Sequence, residues 1–115
     1  MRPEDRRAHL ERARSLFNRG DYWAAHEALE TIWRSILRGD EARVWQGLIQ
    51  AAAALLHRER GNAHGVEVVG GAALEKLAGP GHPAVEFETE GFRAQLERAL
   101  AGRGEPPRLE FRSDG

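Results

Sequence analysis

The sequence predicts an all-α protein, an antiparallel bundle of four to five helices joined by very short turns. Apolar residues recur every three or four positions along most of the chain, and no segment shows a convincing strand alternation. Three glycines each stand directly before an aspartate or asparagine. Glycine adopts the left-handed conformation that ends a helix, and the Asx side chain caps the next one. We therefore expect such turns at Gly20-Asp21, Gly39-Asp40 and Gly61-Asn62.

The helices are expected over residues 3–19, 22–38, 41–60, 63–77 and 90–101. Short connections favour antiparallel packing of neighbours. The third helix has no charged residue from Val44 to Leu56, so we expect it to be central and covered by other helices or by a second subunit. Gly65, Gly70 and Gly71 weaken the fourth helix relative to alanine. Their presence is explained if another backbone passes close to this helix.

The length of 115 residues fits one domain. We place the helical domain at residues 1–102 and expect residues 103–115 to form an extended or mobile tail, because Pro106-Pro107 cannot be helical. Within this tail, "RLEF" is the one segment that suits a short strand.

Composition excludes several classes of protein. No apolar run approaches the roughly 20 residues of a membrane span, and the charged N-terminus lacks a signal-peptide core, so a cytoplasmic location is expected. The net charge of −1 gives no basic excess for nucleic acid. There is no cysteine, so a metal must bind histidine, carboxylate or amide groups. Only one of the 17 basic residues is a lysine, Lys76; heavy arginine use fits a GC-rich genome or a thermostable protein.

The stretch "GDYWAAHEALETIW" contains the main candidate site. His26 and Glu30 are one helical turn apart and share a face with Trp33, at the rim of the apolar stripe, so both should be half-buried. One interpretation is a core histidine satisfied by the carboxylate. The other is a metal- or small-ligand-binding site on His26, Glu30 and Trp33, and a divalent transition metal would need a third ligand such as His57 or Glu27. Glu30 as a catalytic base is a further use, but no motif indicates a reaction class.

A second polar element lies on the third helix, where Gln46, Gln50 and His57 form a row among small residues. We expect this row to neighbour the His26–Glu30 pair. Trp33 and Trp45 fall on core faces and should each find an acceptor for the indole N–H. Trp23 points away from the stripe, which makes it a candidate for a pocket or an interface.

Two blocks of the sequence resemble the DUF309 family, small all-helical proteins of unknown function. These blocks are "FNRGDYWAAHEALETIW" and "QGLIQAAAALLHRERGN". The first contains the family's His-x3-Glu-x2-Trp/Tyr pattern as His26, Glu30 and Trp33. The resemblance implies that these three residues form a functional site and that the first two are candidate metal ligands.

A protein-interaction module is the alternative function. The segment ending in "LFNRGDYWAAHEALETIW" also resembles one tetratricopeptide helical hairpin, with Gly20, Tyr22, Ala25 and Leu29 at suitable spacing. A single hairpin cannot form the groove of a repeat array. The alternative therefore predicts a peptide partner or a homodimer that covers the third helix.

Overall fold

The computed structural model describes residues 1–113 and contains five helices and no strand within that range. They are α1 (Pro3–Asn18), α2 (Tyr22–Arg34), α3 (Gly39–Glu59), α4 (Ala63–Lys76) and α5 (Thr89–Leu100). The predicted all-α class is therefore confirmed, with helix ends that differ from the predicted ones by a few residues. None of the helices in the described chain has the length and apolar character to cross a bilayer.

Sequential helices pack side by side in opposite directions. The end of α2 and the start of α3 line one cavity through Trp33 and Gln46. The start of α2 and the end of α3 line another through Tyr22 and Arg58. The end of each of these two helices thus lies beside the start of the other, as antiparallel packing of α2 and α3 requires. Burial and the nearby Glu59 carboxylate raise the pKa of Tyr22 at this second end.

Two of the three glycine turns have the expected geometry. Gly20 has φ +84°, and the Asp21 side chain accepts a hydrogen bond from Ala24 N–H at 3.4 Å. Gly61 has φ +71°, and Asn62 accepts from Gly65 N–H at 3.0 Å. Each turn therefore ends one helix and caps the next with almost no loop.

The connection between α2 and α3 differs from the prediction. Helix α2 ends at Arg34, four residues earlier than expected, and the Ser35 hydroxyl donates to the Ile32 carbonyl at 2.6 Å. The chain then turns through Leu37, which has φ +68°. Gly39, predicted to end α2, is instead the first residue of α3. Asp40 lies in the first turn of α3, where its carboxylate faces the positive end of the helix dipole.

Helix α3 is central, and its covering comes from the same chain. Its small face packs against α4 so closely that a Cβ on Gly47 would lie 2.9 Å from Leu77 Cγ. On α4, a Cβ on Gly70 would lie 2.8 Å from Leu100 Cδ1 of α5. Gly71 has no such neighbour within 4 Å, so the expected close approach is wrong for that glycine.

An ion-pair cluster joins the starts of α1 and α3 to the segment before α5. The Arg6 guanidinium donates to Glu86 at 2.7 Å and to Glu41 at 3.1 Å. The hydrogen bond to Glu86 is the main cause that raises the pKa of Arg6. Trp45 is fully buried, and its indole N–H donates to the same Glu41 carboxylate at 3.0 Å. The expected acceptor for Trp45 is therefore Glu41.

The C-terminal segment packs on the helices in an extended form. Leu109 is fully buried in the common core, and Pro107 is buried as well. A single antiparallel bridge joins Phe111 to Phe87, so the "RLEF" segment makes one bridge and no strand. Pro107, Leu109 and Phe111 of this tail are therefore docked on the rest of the chain; the last two residues of the predicted tail lie outside the described range.

Candidate functional site

The predicted motif residues follow one another along a single strip of α2. His26 Nε2 lies 3.4 Å from Glu30 Oε1, and the two side chains are 25% and 31% exposed. Both are thus half-buried, as their positions at the rim of the apolar stripe predict. The other Glu30 oxygen, Oε2, accepts from Arg34 at 3.4 Å. The carboxylate therefore lies between an imidazole and a guanidinium.

At the N-terminal end of this strip, Trp23 is 56% exposed. Its ring stacks on that of His26, with the centroids 5.9 Å apart and the planes 13° from parallel. The exposed Trp23 ring thus lies beside the imidazole of His26. Glu27, the neighbouring candidate, is exposed, so its side chain lies in solvent. Its backbone carbonyl accepts a hydrogen bond from the Thr31 hydroxyl.

The C-terminal end of the strip opens into a cavity of about 320 Å³. Six residues from three helices line this cavity, which we call the α2–α3–α4 groove: Glu30, Trp33, Gln46, Ile49, Gln50 and Lys76. The volume is at the lower end of the roughly 300–1,000 Å³ range of small-molecule pockets. The structure thus brings Glu30 and Trp33 of the predicted motif together with the two predicted glutamines.

Polar atoms without partners are concentrated around this strip and groove. Four buried side-chain polar atoms within the described chain have no hydrogen-bond partner, and three of them are His26 Nδ1, Trp33 Nε1 and Gln50 Oε1. Most buried polar groups in proteins are hydrogen-bonded, so each exception needs a reason. The expected acceptor for the Trp33 indole N–H is thus missing, and Trp33 is half-buried rather than part of the closed core.

His57 is not part of the groove. Its Nδ1 lies 3.2 Å from Asn62 Nδ2, at the turn between α3 and α4, and its ring would contact a Cβ placed on Gly65. Of the predicted polar row on α3, only the two glutamines therefore meet the α2 motif. The packing of the His57 ring against the Gly61-Asn62 turn explains the presence of this histidine better than a role in the groove does.

The motif does not by itself provide enough ligands for a metal ion. His26 Nε2 and Glu30 Oε1 are close enough to share one ion, but protein sites for transition metals use three or four side chains. No group of three or more histidine, aspartate or glutamate side chains within residues 1–113 is placed to hold a metal. The residues that the structure describes thus do not fit a complete metal centre.

Lys76 is the groove residue that sequence reasoning missed. It lies at the C-terminal end of α4, where it lines both the groove and a second cavity of about 450 Å³ beside Asp40 and Glu75. Its neighbour Glu75 pairs with Arg43 at 3.6 Å, and Lys76 forms no ion pair with a described residue. The sequence feature that could have indicated Lys76 is its residue type, because it is the one lysine in a chain whose other basic residues are arginines.

The fold and the groove define a class: a small all-helical protein with a half-open polar groove between antiparallel helices. A comparison with family models identifies the family. The "Domain of unknown function (DUF309)" model matches residues 10–69, and the chain belongs to that family. The matched range includes every residue lining the groove except Lys76, and the family description gives no activity.

A curated relative is also described only as an uncharacterized protein. This protein, from Aquifex aeolicus (strain VF5), is 33% identical over 105 residues, which cover 89% of the present chain. The same match covers 31% of the relative, so the chain spans about a third of that protein's length. No solved structure matches the chain.

Proposed function

We propose that this protein binds a small polar molecule in the α2–α3–α4 groove. The observation that carries the proposal is a cavity of about 320 Å³ in which three helices bring Gln46, Gln50 and Lys76 together with the Trp33 ring. Trp33 Nε1 and Gln50 Oε1, which have no partners, are buried and do not themselves face this cavity.

The composition of the groove suits small-molecule recognition. Trp33 and Ile49 supply apolar surface, while Gln46, Gln50 and Lys76 supply polar groups on the same walls. Ligand pockets typically combine mostly apolar surface with a few such polar groups that fix orientation. The three helices that present these residues are packed together, so the groove is formed without a second subunit.

Ligand screening by NMR tests this proposal, with the indole N–H signals as reporters. Trp33 lies in the groove, whereas Trp45 is buried and bonded to Glu41, and Trp23 is exposed at the other end of the strip. The three signals can be assigned with single Trp→Phe variants. We expect fragments that shift the Trp33 signal and leave the Trp45 signal in place.

Two glutamine variants provide the control. Gln50→Leu removes the amide from the groove, and we expect it to weaken binding by about tenfold or more. Gln95→Leu makes the same chemical change on α5, outside the groove, where Gln95 accepts from Arg108 N–H. Binding should survive in that variant. The proposal is wrong if no fragment moves the Trp33 signal, or if Gln50→Leu binds every fragment as tightly as the parent protein.

A metal site at His26 and Glu30 is the second candidate, favoured by the 3.4 Å separation of Nε2 and Oε1 and by the His-x3-Glu-x2-Trp pattern that the family resemblance implies. Such a site would need further ligands beyond the described side chains, for example from a bound molecule. The groove proposal does not require a metal, and the two are separated by measuring metal content.

An interaction role is supported by one observation, the exposed Trp23 stacked on His26. The uncharged third helix no longer supports it, because α4 of the same chain covers the small face of that helix. Light scattering on the parent protein and on Trp23→Ser tests self-association. A dimer that dissociates in Trp23→Ser would establish the interaction role, and unchanged ligand binding in that variant would show that this role is separate from the groove.

A further inference from the structure

The part of the α2–α3–α4 groove formed by Gln50 and Lys76 presents hydrogen-bond donors to a ligand. Gln50 Oε1 is buried, while Nε2 of the same amide is neither buried nor hydrogen-bonded, so the accessible end of this side chain is the donor. The Trp33 indole N–H is buried like Gln50 Oε1, so Trp33 contributes its ring to the groove. Lys76 carries three N–H donors and a positive charge. Such walls favour a ligand group that only accepts hydrogen bonds.

The charges of the groove point to a single negative charge on that group. Lys76 on α4 is the cation among the residues that line the groove, and it forms no ion pair with a described residue, whereas Glu30 on α2 is already close to His26 and Arg34. A group with two negative charges would meet one lysine and also the Glu30 carboxylate. A carboxylate, which has one charge, is matched by one ammonium group.

Building on the proposed function, we propose that the ligand is a small carboxylic acid, bound through its carboxylate by Lys76 and the Gln50 amide. Glu30 lines the groove from α2, with α3 between it and Lys76 in the order of packed helices. Its carboxylate can accept further hydrogen bonds, since each oxygen has two lone pairs. The acid therefore carries a donor, a hydroxyl or an ammonium group, that faces Glu30. Trp33 and Ile49 contact its apolar part.

The single lysine makes this inference unusually easy to test. Reductive methylation with ¹³C-formaldehyde labels amines and keeps their positive charge. In this chain it labels Lys76 and the N-terminal amine, and Met1 is not one of the residues that line the groove. The N-terminal signal is thus an internal control for salt and pH effects, and the Lys76 signal reports on the groove.

A matched set of probes separates the ligand groups. The probes are phenyllactate, phenylalanine, 3-phenylpropionate, 3-phenylpropionamide, phenethylamine and inorganic phosphate, each titrated to millimolar concentration. We expect the three carboxylates to shift the Lys76 signal, with phenyllactate or phenylalanine binding more tightly than 3-phenylpropionate. The amide should bind at least about tenfold more weakly than its acid, because a charged hydrogen bond is lost. Phenethylamine and phosphate should leave the signal in place.

Variants then assign the effect to Lys76. Lys76→Met should weaken carboxylate binding about tenfold or more, as read from the Trp33 indole signal, and Lys76→Arg should retain most of it. Arg43→Gln is the control, since Arg43 lines the second cavity beside Lys76 but not the groove. The inference is overturned if no carboxylate shifts the Lys76 signal, if amide or phosphate bind as well as acids, or if Lys76→Met changes nothing. In any of these cases the groove proposal survives where other fragments still shift the Trp33 signal and bind Gln50→Leu more weakly than the parent protein.

Discussion

The side chain of Asn18 exchanges two hydrogen bonds with the backbone of Leu109. The Leu109 N–H donates to Asn18 Oδ1 at 2.7 Å, and Asn18 Nδ2 donates to the Leu109 carbonyl at 2.8 Å. One amide side chain at the end of α1 thus satisfies both backbone groups of a fully buried residue, as a neighbouring strand would. This pairing fixes the register in which the C-terminal segment crosses the helices.

We expect Asn18→Ala to lower the free energy of unfolding by about 1–3 kcal/mol, because the buried Leu109 N–H and carbonyl lose their partner. Urea denaturation measures the change. Gln95→Ala is the matched control, since Gln95 also accepts from the tail, at Arg108 N–H, but at an exposed position. The control should cost only a few tenths of a kcal/mol. Equal effects of the two variants would show that the Asn18 pairing has no special role.

The helices and half of the candidate site could be predicted from the sequence because both depend on local spacing. His26, Glu30 and Trp33 share a face for any α2 helix, and Gln46 and Gln50 share one on α3. These predictions needed only the antiparallel packing of two neighbours. Helical spacing also predicted that His57 lies with the glutamines. His57 is two turns of α3 beyond Gln50, however, and lies at the Asn62 turn.

Lys76 and the docked tail depend on contacts between distant parts of the chain. Lys76 reaches the groove because α4 packs on Gly47 through its last turn, a register that the pattern of α4 does not specify. The tail docks because Asn18 and Leu109, 91 positions apart, are complementary. A polar asparagine at a helix end carries no sign of such a partner in the sequence. Non-local pairing of this kind is invisible to periodicity.

The C-terminal segment should loosen in acid. The hydrogen bond from Arg14, at 2.8 Å, is the main cause that lowers the pKa of Glu110 below its ordinary value of 4.5. A lowered folded-state pKa stabilises the fold above pH 4.5, and this contribution is lost as the pH falls through the lowered pKa. Because Glu110 is exposed, the effect should be small and reduced by salt.

Melting temperatures measured in low salt between about pH 3 and pH 6 test this dependence. Glu110→Gln should flatten the part of the curve below pH 4.5, and added salt should flatten it in the parent protein as well. Glu97→Gln is the control, since Glu97 pairs with Arg93 one turn away within α5. A curve that Glu97→Gln flattens as much as Glu110→Gln would contradict the assignment.

Purified protein should contain far less than one equivalent of transition metal. Two ligands, His26 and Glu30, are too few to hold an ion against competing water. Elemental analysis after purification without chelator measures the content, and added zinc should leave the melting temperature unchanged. His9→Ala controls for adventitious surface binding. A stoichiometric metal that disappears in His26→Ala and persists in His9→Ala would establish a metal centre completed by ligands from elsewhere.

Two glycines in neighbouring helices should respond to alanine in opposite directions. Gly71 lies inside α4, and nothing lies within 4 Å of the position that a Cβ would occupy there. Gly71→Ala should therefore stabilise the protein by up to about 1 kcal/mol through the higher helix propensity of alanine. Gly47 lies in α3, where a Cβ would meet Leu77 Cγ at 2.9 Å and Lys76 Cβ at 3.1 Å. Gly47→Ala should separate α3 from α4 and cost about 1–3 kcal/mol.

The two glycine variants, Gly47→Ala and Gly71→Ala, also test whether the packing of α4 on α3 is needed for ligand binding in the groove. Separation of α3 from α4 moves Lys76 away from Gln50, so Gly47→Ala should weaken carboxylate binding even under conditions where the variant remains folded. Gly71→Ala leaves that contact intact and should bind normally. Urea denaturation and titration of the Trp33 indole signal give the two readouts on the same samples. Unchanged stability and binding in Gly47→Ala would show that α4 does not pack on α3 through this glycine, and the groove would then lack its third wall.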